Sequence, residues 1–505
     1  IRTELERVLP PAVTPRRATN GGPGTGPAED EVPVERLEAA ELRASMIEAA
    51  SAPAVESWMS FLHPEQARVV RRSFSGPARI RGAAGTGKSV VALHRAAYLA
   101  RTTSGRVLVT SFVRTLPRVM SGLMQRLAPD VADRIDFVGV HALAMRVLAE
   151  RGEPVRVDAV AAEEAFREVW AAVGRDTPLA RIDPAHSYWL EELHHVIKGR
   201  GLTRFEDYAR LPRTGRRRAL SREQREQMWR LYIDYEKALR HRGILDWDDL
   251  VLRAEASLRA EPLDLYDAVI VDEAQDLSCA MLRMLHLLVG DRPDGLLLVG
   301  DSRQTIYPGG TTLAEAGISV AGRGVVLTTN HRTTAEIADF ASTVLHGTGA
   351  VDIDGMLDDV AATASRHGDE PEREIFESRA LHDASFVAHV RGVVERGGRL
   401  GDIGVLALSN IVAQEAATTL RAAGIATIEV ERYDGSQVDA VRVGTVKRAK
   451  GLEFAHVLVV RTPLHLVRPI AGDVDPAVME RRDRQRRELY VAMTRAREHL
   501  WIGVA

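Results

Sequence analysis

The chain has 505 residues, is 45% hydrophobic and 27% charged, and carries a formal net charge of −3. Roughly 150 residues per domain makes room for about three to four domains, and no apolar run reaches the roughly 18–20 residues of a membrane span, which excludes an integral membrane protein. A single cysteine, Cys279, excludes a disulfide framework or a thiolate-rich metal site and fits a reducing, cytoplasmic setting, while the near-neutral charge excludes a polycationic coat and confines any nucleic-acid contact to a local groove.

The chain opens on Ile1, with neither a start methionine nor a signal-peptide pattern, which leaves an upstream domain open. Residues 9–33 are rich in proline and glycine and read as linker. Within them Gly21 to Gly26 imitates a phosphate loop, but no Lys-Ser or Lys-Thr follows. Residues 34–60 read as helical, so 1–54 is set apart as a linker and helical segment. From about residue 76 short apolar runs alternate with helical patterns: Val107–Thr110, Ala268–Val271, Leu296–Val299, Val325–Leu327, Ile403–Leu408, Val441–Val446, Val457–Val460 and Leu500–Val504. Short buried strands alternating with helices predict parallel α/β sheets. Residues 146–262 are almost free of such runs and predict a helical insertion. The acidic stretch 351–373 predicts a solvated loop.

Gly82-Ala83-Ala84-Gly85-Thr86-Gly87-Lys88-Ser89 fits the G-x-x-x-x-G-K-[ST] pattern, expected by chance only ~0.003 times in a chain of this composition. Its glycines let backbone N–H groups curl around phosphate oxygens, and the next helix points its positive end at the same anion. Lys88 then reaches the β- and γ-phosphates and the Ser89 hydroxyl binds Mg²⁺. Lysine is scarce, with five among 67 cationic residues, and Lys88, Lys447 and Lys450 all fall in such motifs. Farther on, Tyr266-Asp267-Ala268-Val269-Ile270-Val271-Asp272-Glu273 is an apolar strand ending in two acids. Asp272 can hold the metal, and Glu273 can orient or deprotonate an attacking water.

With these motifs in place, the span from about 58 to 505 resembles the UvrD/Rep/PcrA family of superfamily 1A helicases, with motifs in the same order. Leu62-His63-Pro64-Glu65-Gln66 is similar to the adenine-reading Q motif, which puts Gln66 on the base. Arg95 matches an arginine near the nucleotide. Asp272-Glu273-Ala274-Gln275-Asp276 resembles motif II. Gly300 to Tyr307 resembles motif III, in which Gln304 senses the γ-phosphate and Tyr307 lies in the groove. Leu327 to Arg332 resembles motif IV, Thr445 to Phe454 motif V and Arg487 to Ala496 motif VI. The resemblance implies two RecA-like domains, one over 55–145 and 263–324 and one over 325–505, with 146–262 inserted in the first. It makes Arg332 and Arg495 catalytic alongside Lys88, Asp272, Glu273 and Gln304, and puts His331 and Glu453 on the nucleotide. Phe112, Arg114, His141, Tyr307, Thr445, Lys447 and Arg448 would contact DNA. ATP and Mg²⁺ are the implied cofactors, and single-stranded DNA or a single-strand/duplex junction the implied partner, with 3′→5′ movement.

The chain also departs from the family pattern. Val140 precedes His141 where the family has Phe, and Pro308-Gly309-Gly310 follows Tyr307 where it has Trp. Lys447 replaces a histidine, Leu408 an arginine and His331 the stacking tyrosine. Only about 36 residues separate Ser409 from Thr445, too few for the large helical domain that interrupts the family's second unit. Asp246-Trp247-Asp248-Asp249-Leu250 is similar to motif Id and closes the first insertion. Inside it the arginine-rich stretch from Arg210 to Arg230 suits either a strand contact or a solvated helix, as does the run Arg481–Arg487. His194-His195 shows no metal-ligand spacing. Two alternatives stay open: an ATPase resembling the HelD proteins that remodel RNA polymerase, and an ATP-gated interaction protein that does not translocate. A protein partner, a repair factor or RNA polymerase, belongs with them.

Overall fold

The computed structural model describes residues 62–113, 115–213, 216–306, 311–348, 362–468 and 475–505. The linker and helix expected over 1–54, along with Arg114 and Tyr307, lie outside the described residues.

Two sheets, each of six parallel strands, organise the chain. The first holds β1 (Ala78–Gly82), β2 (Val107–Ser111), β3 (Ile135–Gly139), β4 (Ala268–Asp272), β5 (Leu296–Gly300) and β6 (Gly324–Leu327), in the order β3-β2-β4-β5-β1-β6. The second holds β7 (Glu372–Ile375), β8 (Ile403–Ala407), β9 (Thr427–Glu429), β10 (Val441–Thr445), β11 (Phe454–Thr462) and β12 (Ala496–Val504), in the order β9-β10-β8-β11-β12-β7. Strands β2, β4, β5, β8 and β10 are buried at every position, as expected of parallel strands covered on both faces.

Several elements depart from expectation. Strand β1 (Ala-Arg-Ile-Arg-Gly) reads as polar, yet Arg79 is buried beside β5 and β6. Strand β6, expected to open the second domain, pairs with β1 and is the edge of the first sheet. The acidic stretch 351–373 is not wholly a loop. Thr363–Ala364 pairs with Thr329–Asn330, and β7 begins at Glu372 and pairs with β12. Alternating charges on an edge strand leave no apolar run to read.

Helix α1 (Pro64–Arg71) starts where the sequence places Pro at its first position, and the His63 N–H donates to Gln66 Oε1 at 2.9 Å. Helix α2 (Lys88–Thr102) begins straight after the phosphate loop. In the insertion, α3 (Arg222–Arg242) is capped by Ser221 and ends on Gly243 in the left-handed region. The insertion's own apolar core runs from Ala162 to Ile244, whereas α4 (Trp247–Ala260), expected within it, buries Leu250, Val251, Ala254 and Leu258 against the first sheet. Across the other face of that sheet a continuous core reaches the second unit through Val457, Val459, Leu489 and Ile502. Helix α5 (Pro476–Met493) carries most of the motif VI stretch and inserts Ala477 into the insertion's core. The second unit therefore touches both the first sheet and the insertion.

Candidate active site and nucleic-acid groove

The loop Gly82–Ser89 joins β1 to α2, and its glycines are required by their surroundings. Gly85 has φ 81°, and a Cβ there would fall 2.0 Å from Asn330 Oδ1. Gly87 has φ 79°, and its Cβ would meet Gln66 Nε2 at 2.1 Å. Gln66 Nε2 donates to the Thr86 carbonyl at 3.0 Å, so the residue expected on the base also braces the loop. Ala83 and Ala84 are buried, and Thr86 Oγ1 donates to the Ala83 carbonyl at 2.9 Å. Lys88 Nζ folds onto the Gly82 and Ala83 carbonyls at 2.8 and 2.9 Å, with Asp301 3.8 Å away. Burial pulls its pKa down, partly offset by Asp301 and Glu273.

Strand β4 ends on Asp272 and Glu273. Asp272 Oδ1 accepts the Glu273 N–H at 3.0 Å, and the Ser89 side chain hydrogen-bonds the same carboxylate. Burial and the neighbouring Glu273 push the Asp272 pKa up to about 6. Its Oδ2 is buried with no hydrogen-bond partner among the described residues. An unpartnered carboxylate oxygen beside a serine hydroxyl is the hard oxygen donor set that Mg²⁺ takes, so these residues fit that ion. Glu273 holds a left-handed φ of 55°, a conformation costing a non-glycine residue about 1 kcal/mol. Burial would raise its pKa, but Lys450, Arg495 and Lys88 outweigh burial and lower it, so the carboxylate stays ionised.

Across the cleft, Arg495 Nη2 donates to Gln304 Oε1 at 2.7 Å, and Gln304 Nε2 donates to Asp301 at 2.6 Å. His331 N–H donates to the Gly85 carbonyl at 3.0 Å where the chain crosses between the units. Arg332 Nη1 donates to Glu453 at 2.6 Å, while its Nε and Nη2 are buried without partners among the described residues. Buried N–H groups with nothing to bond, converging with a glycine-rich loop, mark the place of an anion. Burial and the adjacent Arg332 lower the Arg495 pKa to about 10, a repulsion that a polyphosphate between them would relieve. The cavity that Gly85, Gly87, Lys88, Ser89, Glu273, Gln304, Arg332, Gly451, Glu453 and Arg495 enclose is only about 30 Å³. A triphosphate enters only if the units part.

At the base end of the loop, the His63 and His331 rings lie 4.6 Å apart, a histidine pair where the family stacks adenine on tyrosine. Arg95, expected near the nucleotide, is turned towards the end of α1. Its guanidinium donates to the carbonyls of Val70 and Arg72 at 2.7 and 2.8 Å and to Asp294 at 2.7 Å, holding the end of α1 rather than the phosphate loop. Lys450, outside the expected set, is fully buried and bridges the units, 2.6 Å from Asp276, 2.7 Å from the Gln304 carbonyl and 3.6 Å from Glu273. Lysine scarcity is the sequence signal that points to it.

A separate cavity of about 320 Å³ lies between the first sheet and the insertion, and Phe112 and His141 of the expected DNA contacts line it. Phe112 and Trp247 flank His141, with ring centroids 5.6 and 5.1 Å away, and His194, His195 and Thr305 continue the wall. Trp247 supplies an aromatic that the motif pattern does not place there. Thr445 is buried ahead of a short helix, Lys447 lies 3.4 Å from Glu488, and Arg448 pairs with Glu431. The arginine-rich stretch divides: Arg210, Arg222 and Arg230 are exposed, as a solvated helix expects, whereas Arg213 and Arg216 are buried in ion pairs. Arg213 grips Glu192 at 2.6 Å, Arg216 bonds Glu192 at 3.0 Å and Glu480 at 2.8 Å, Arg217 pairs with Asp483, and Arg222 lies 2.7 Å from Glu206. From the other side, Arg481 pairs with Asp183 and Arg484 bonds Glu191 at 2.5 Å. His194 pairs with Asp248 at 2.5 Å.

The sequence profile of the UvrD/REP helicase N-terminal domain matches residues 62–308, and that of the UvrD-like helicase C-terminal domain matches 427–505. The chain belongs to the UvrD-like helicase family. Among its relatives, the ATP-dependent DNA helicase PcrA of Leuconostoc citreum is 26% identical over 316 residues, covering 58% of this chain and 40% of the relative. The ATP-dependent DNA helicase UvrD2 of Mycobacterium tuberculosis is 28% identical over 260 residues, covering 46% and 35%. PcrA of Staphylococcus aureus is 24% identical over 265 residues, covering 49% and 34%. This UvrD-like chain thus spans two fifths or less of the length of these curated relatives. No helix among its described residues is long and apolar enough to cross a membrane.

Proposed function

We propose that this UvrD-like chain hydrolyses ATP between its two α/β units and couples the hydrolysis to 3′→5′ movement along single-stranded DNA. The observation that carries the reading is the convergence on one cavity of Lys88, Ser89, Glu273 and Gln304 from the first unit with Glu453 and Arg495 from the second, and Arg332 at the crossing between them. Lys88 exchanges its loop carbonyls for the β- and γ-phosphates. Glu273, ionised and steered by Gln275 at 2.6 Å, orients and deprotonates the attacking water. Arg332 and Arg495 stabilise the charge that develops on the γ-phosphate, and Gln304 reports its presence through the bond to Arg495. Ser89 and Asp272 would hold a Mg²⁺, which would supply charge neutralisation at the phosphate oxygens. Because the arginines and the base belong to different elements across the cleft, hydrolysis requires closure, and each cycle moves one unit against the other.

The base groove offers Phe112, His141 and Trp247, with phosphate contacts from Lys447 and Arg448. The decisive measurement is steady-state ATPase with and without a single-stranded oligonucleotide. DNA-stimulated turnover that falls steeply between about 50 and 200 mM salt is expected, with weak duplex unwinding by the isolated chain. A rate indifferent to DNA at low salt would overturn translocation. A second reading, an ATP-gated interaction protein, draws on the carboxylates that already occupy Lys447 and Arg448.

A further inference from the structure

Lys447 and Arg448, the described cations expected on the strand, both face carboxylates of this same chain. Lys447 lies 3.4 Å from Glu488, and Arg448 pairs with Glu431. Arg484 likewise bonds Glu191 at 2.5 Å. Glu191 follows Leu190, which lines the groove, and it belongs to the insertion; Arg484 belongs to α5 of the second unit. The same interface holds Arg216 on Glu480 and Arg217 on Asp483. Groove and interface meet at His195. This residue lines the groove, and burial followed by the charges of His194, Arg216, Arg484 and Lys447 holds its pKa down to about 3. Burial is the larger cause, but the cations named alongside it place Arg216, Arg484 and Lys447 near this end of the groove, where a phosphodiester backbone would meet them.

We propose that the ion pairs between the helical insertion and α5 form a latch that single-strand phosphates release, with Glu191 standing where a phosphate of the bound strand would sit. A strand entering the groove competes with Glu191 for Arg484 and with Glu488 for Lys447. Losing Glu191 from Arg484 removes one tie between the insertion and α5, the helix that leads directly into Arg495, while the Lys447–Glu488 pair lies within the second unit. The latch thereby links an occupied groove to the placement of Arg495 against Gln304, 2.7 Å apart in the latched state. The inference rests on the reading of the groove as a single-strand site, which the unmodified protein tests by itself.

A latch predicts a gain where a structural pair predicts a loss. Binding of a fluorescent single-stranded oligonucleotide is measured by anisotropy at about 50 mM salt for the full chain and three variants. Glu191→Gln, which removes a partly exposed carboxylate that faces Arg484 and also lies 3.4 Å from Arg216, is expected to bind roughly two- to five-fold tighter, the value of one weak ion pair no longer competing. Arg484→Gln, which opens the same latch but removes the cation, is expected to bind no tighter than the unmodified chain. Glu498→Gln, which removes a carboxylate 3.8 Å from Arg366 in the second unit, controls for net charge and leaves affinity unchanged. Thermal melting of each variant reports folding, and Glu191 is partly exposed, so its substitution is tolerated. An unmodified chain that does not bind the oligonucleotide overturns the groove reading. An unmodified chain that binds, with Glu191→Gln equal or weaker, or with Arg484→Gln or Glu498→Gln gaining as much, overturns the latch.

Discussion

The nucleotide cleft and the insertion–α5 interface are both crowded with buried charge, and they pair it to different degrees. In the cleft, Arg332 Nε and Nη2, Asp272 Oδ2 and Glu453 Oε2 are buried with no partner among the described residues. At the interface Glu192 takes Arg213 and Arg216 together with the Tyr208 hydroxyl, and Glu480 takes Arg216 and the Arg217 N–H. Leaving a buried polar atom unpaired costs about 1–3 kcal/mol, so evolution keeps such atoms where a ligand completes them. The division is one of degree, since Asp483 at the interface is also buried without a hydrogen bond among the described residues, although Arg217 pairs with it as an ion. The same contrast explains why arginine-rich sequence misleads: Arg216 and Arg495 are both buried, but only Arg495 faces the nucleotide cavity.

The contrast breaks most sharply at Glu273. Glu273→Gln should lower turnover by about 10²–10⁴-fold while a labelled ATP analogue still binds, because only the base is lost. Lys88→Ala should lose nucleotide binding as well as turnover, since its amine is the phosphate contact. Equal nucleotide affinity in that variant and the unmodified chain would displace Lys88 from the site. Lys450→Met probes the bridge between the two regions: it strands Asp276 and crowds Glu273 without its counter-charge. Removing one member of such a buried pair costs about 3–5 kcal/mol, visible as a lowered urea midpoint.

Acid provides a fourth test. His195 has a folded pKa near 3 against an ordinary 6.5, so its neutral form belongs to the fold. Stability is therefore full above about pH 6.5 and falls as pH drops from there towards 3, by on the order of 3 kcal/mol from this residue alone. His195→Gln should flatten that part of the stability-against-pH curve, and an unchanged slope would show that burial does not hold His195 neutral in the fold. The smallest effect belongs to the exposed pair Arg101–Asp130 at 2.8 Å, where Arg101→Ala should shift stability by less than about 1 kcal/mol.

Much of the cleft is legible in the sequence. Lys88, Ser89, Asp272 and Glu273 stand in local patterns whose spacing is dictated by phosphate geometry, and the fold brings all four together with Gln304, Arg332, Glu453 and Arg495 at one cavity or its immediate wall. The contacts of Arg95 are not legible, because position along α2 does not say which way a long side chain reaches; Asp294, 199 residues away, decides that. The arginines of the insertion are ambiguous for the same reason. Their partners Glu192 and Glu480 lie 24 and 264 residues from Arg216, and no local pattern announces them.

Sequence by itself determined the elements whose signal is local: apolar runs for buried parallel strands, glycines that must take positive φ, and acids at a strand end. Only the tertiary structure decided that β6 closes the first sheet, that the polar segments β1 and β7 are strands, that Lys450 reaches Glu273, and that the insertion is fastened to α5. Those outcomes depend on long-range packing and charge matching. A residue's partner there is set by where the whole chain places it, and the residues beside it carry no record of the choice.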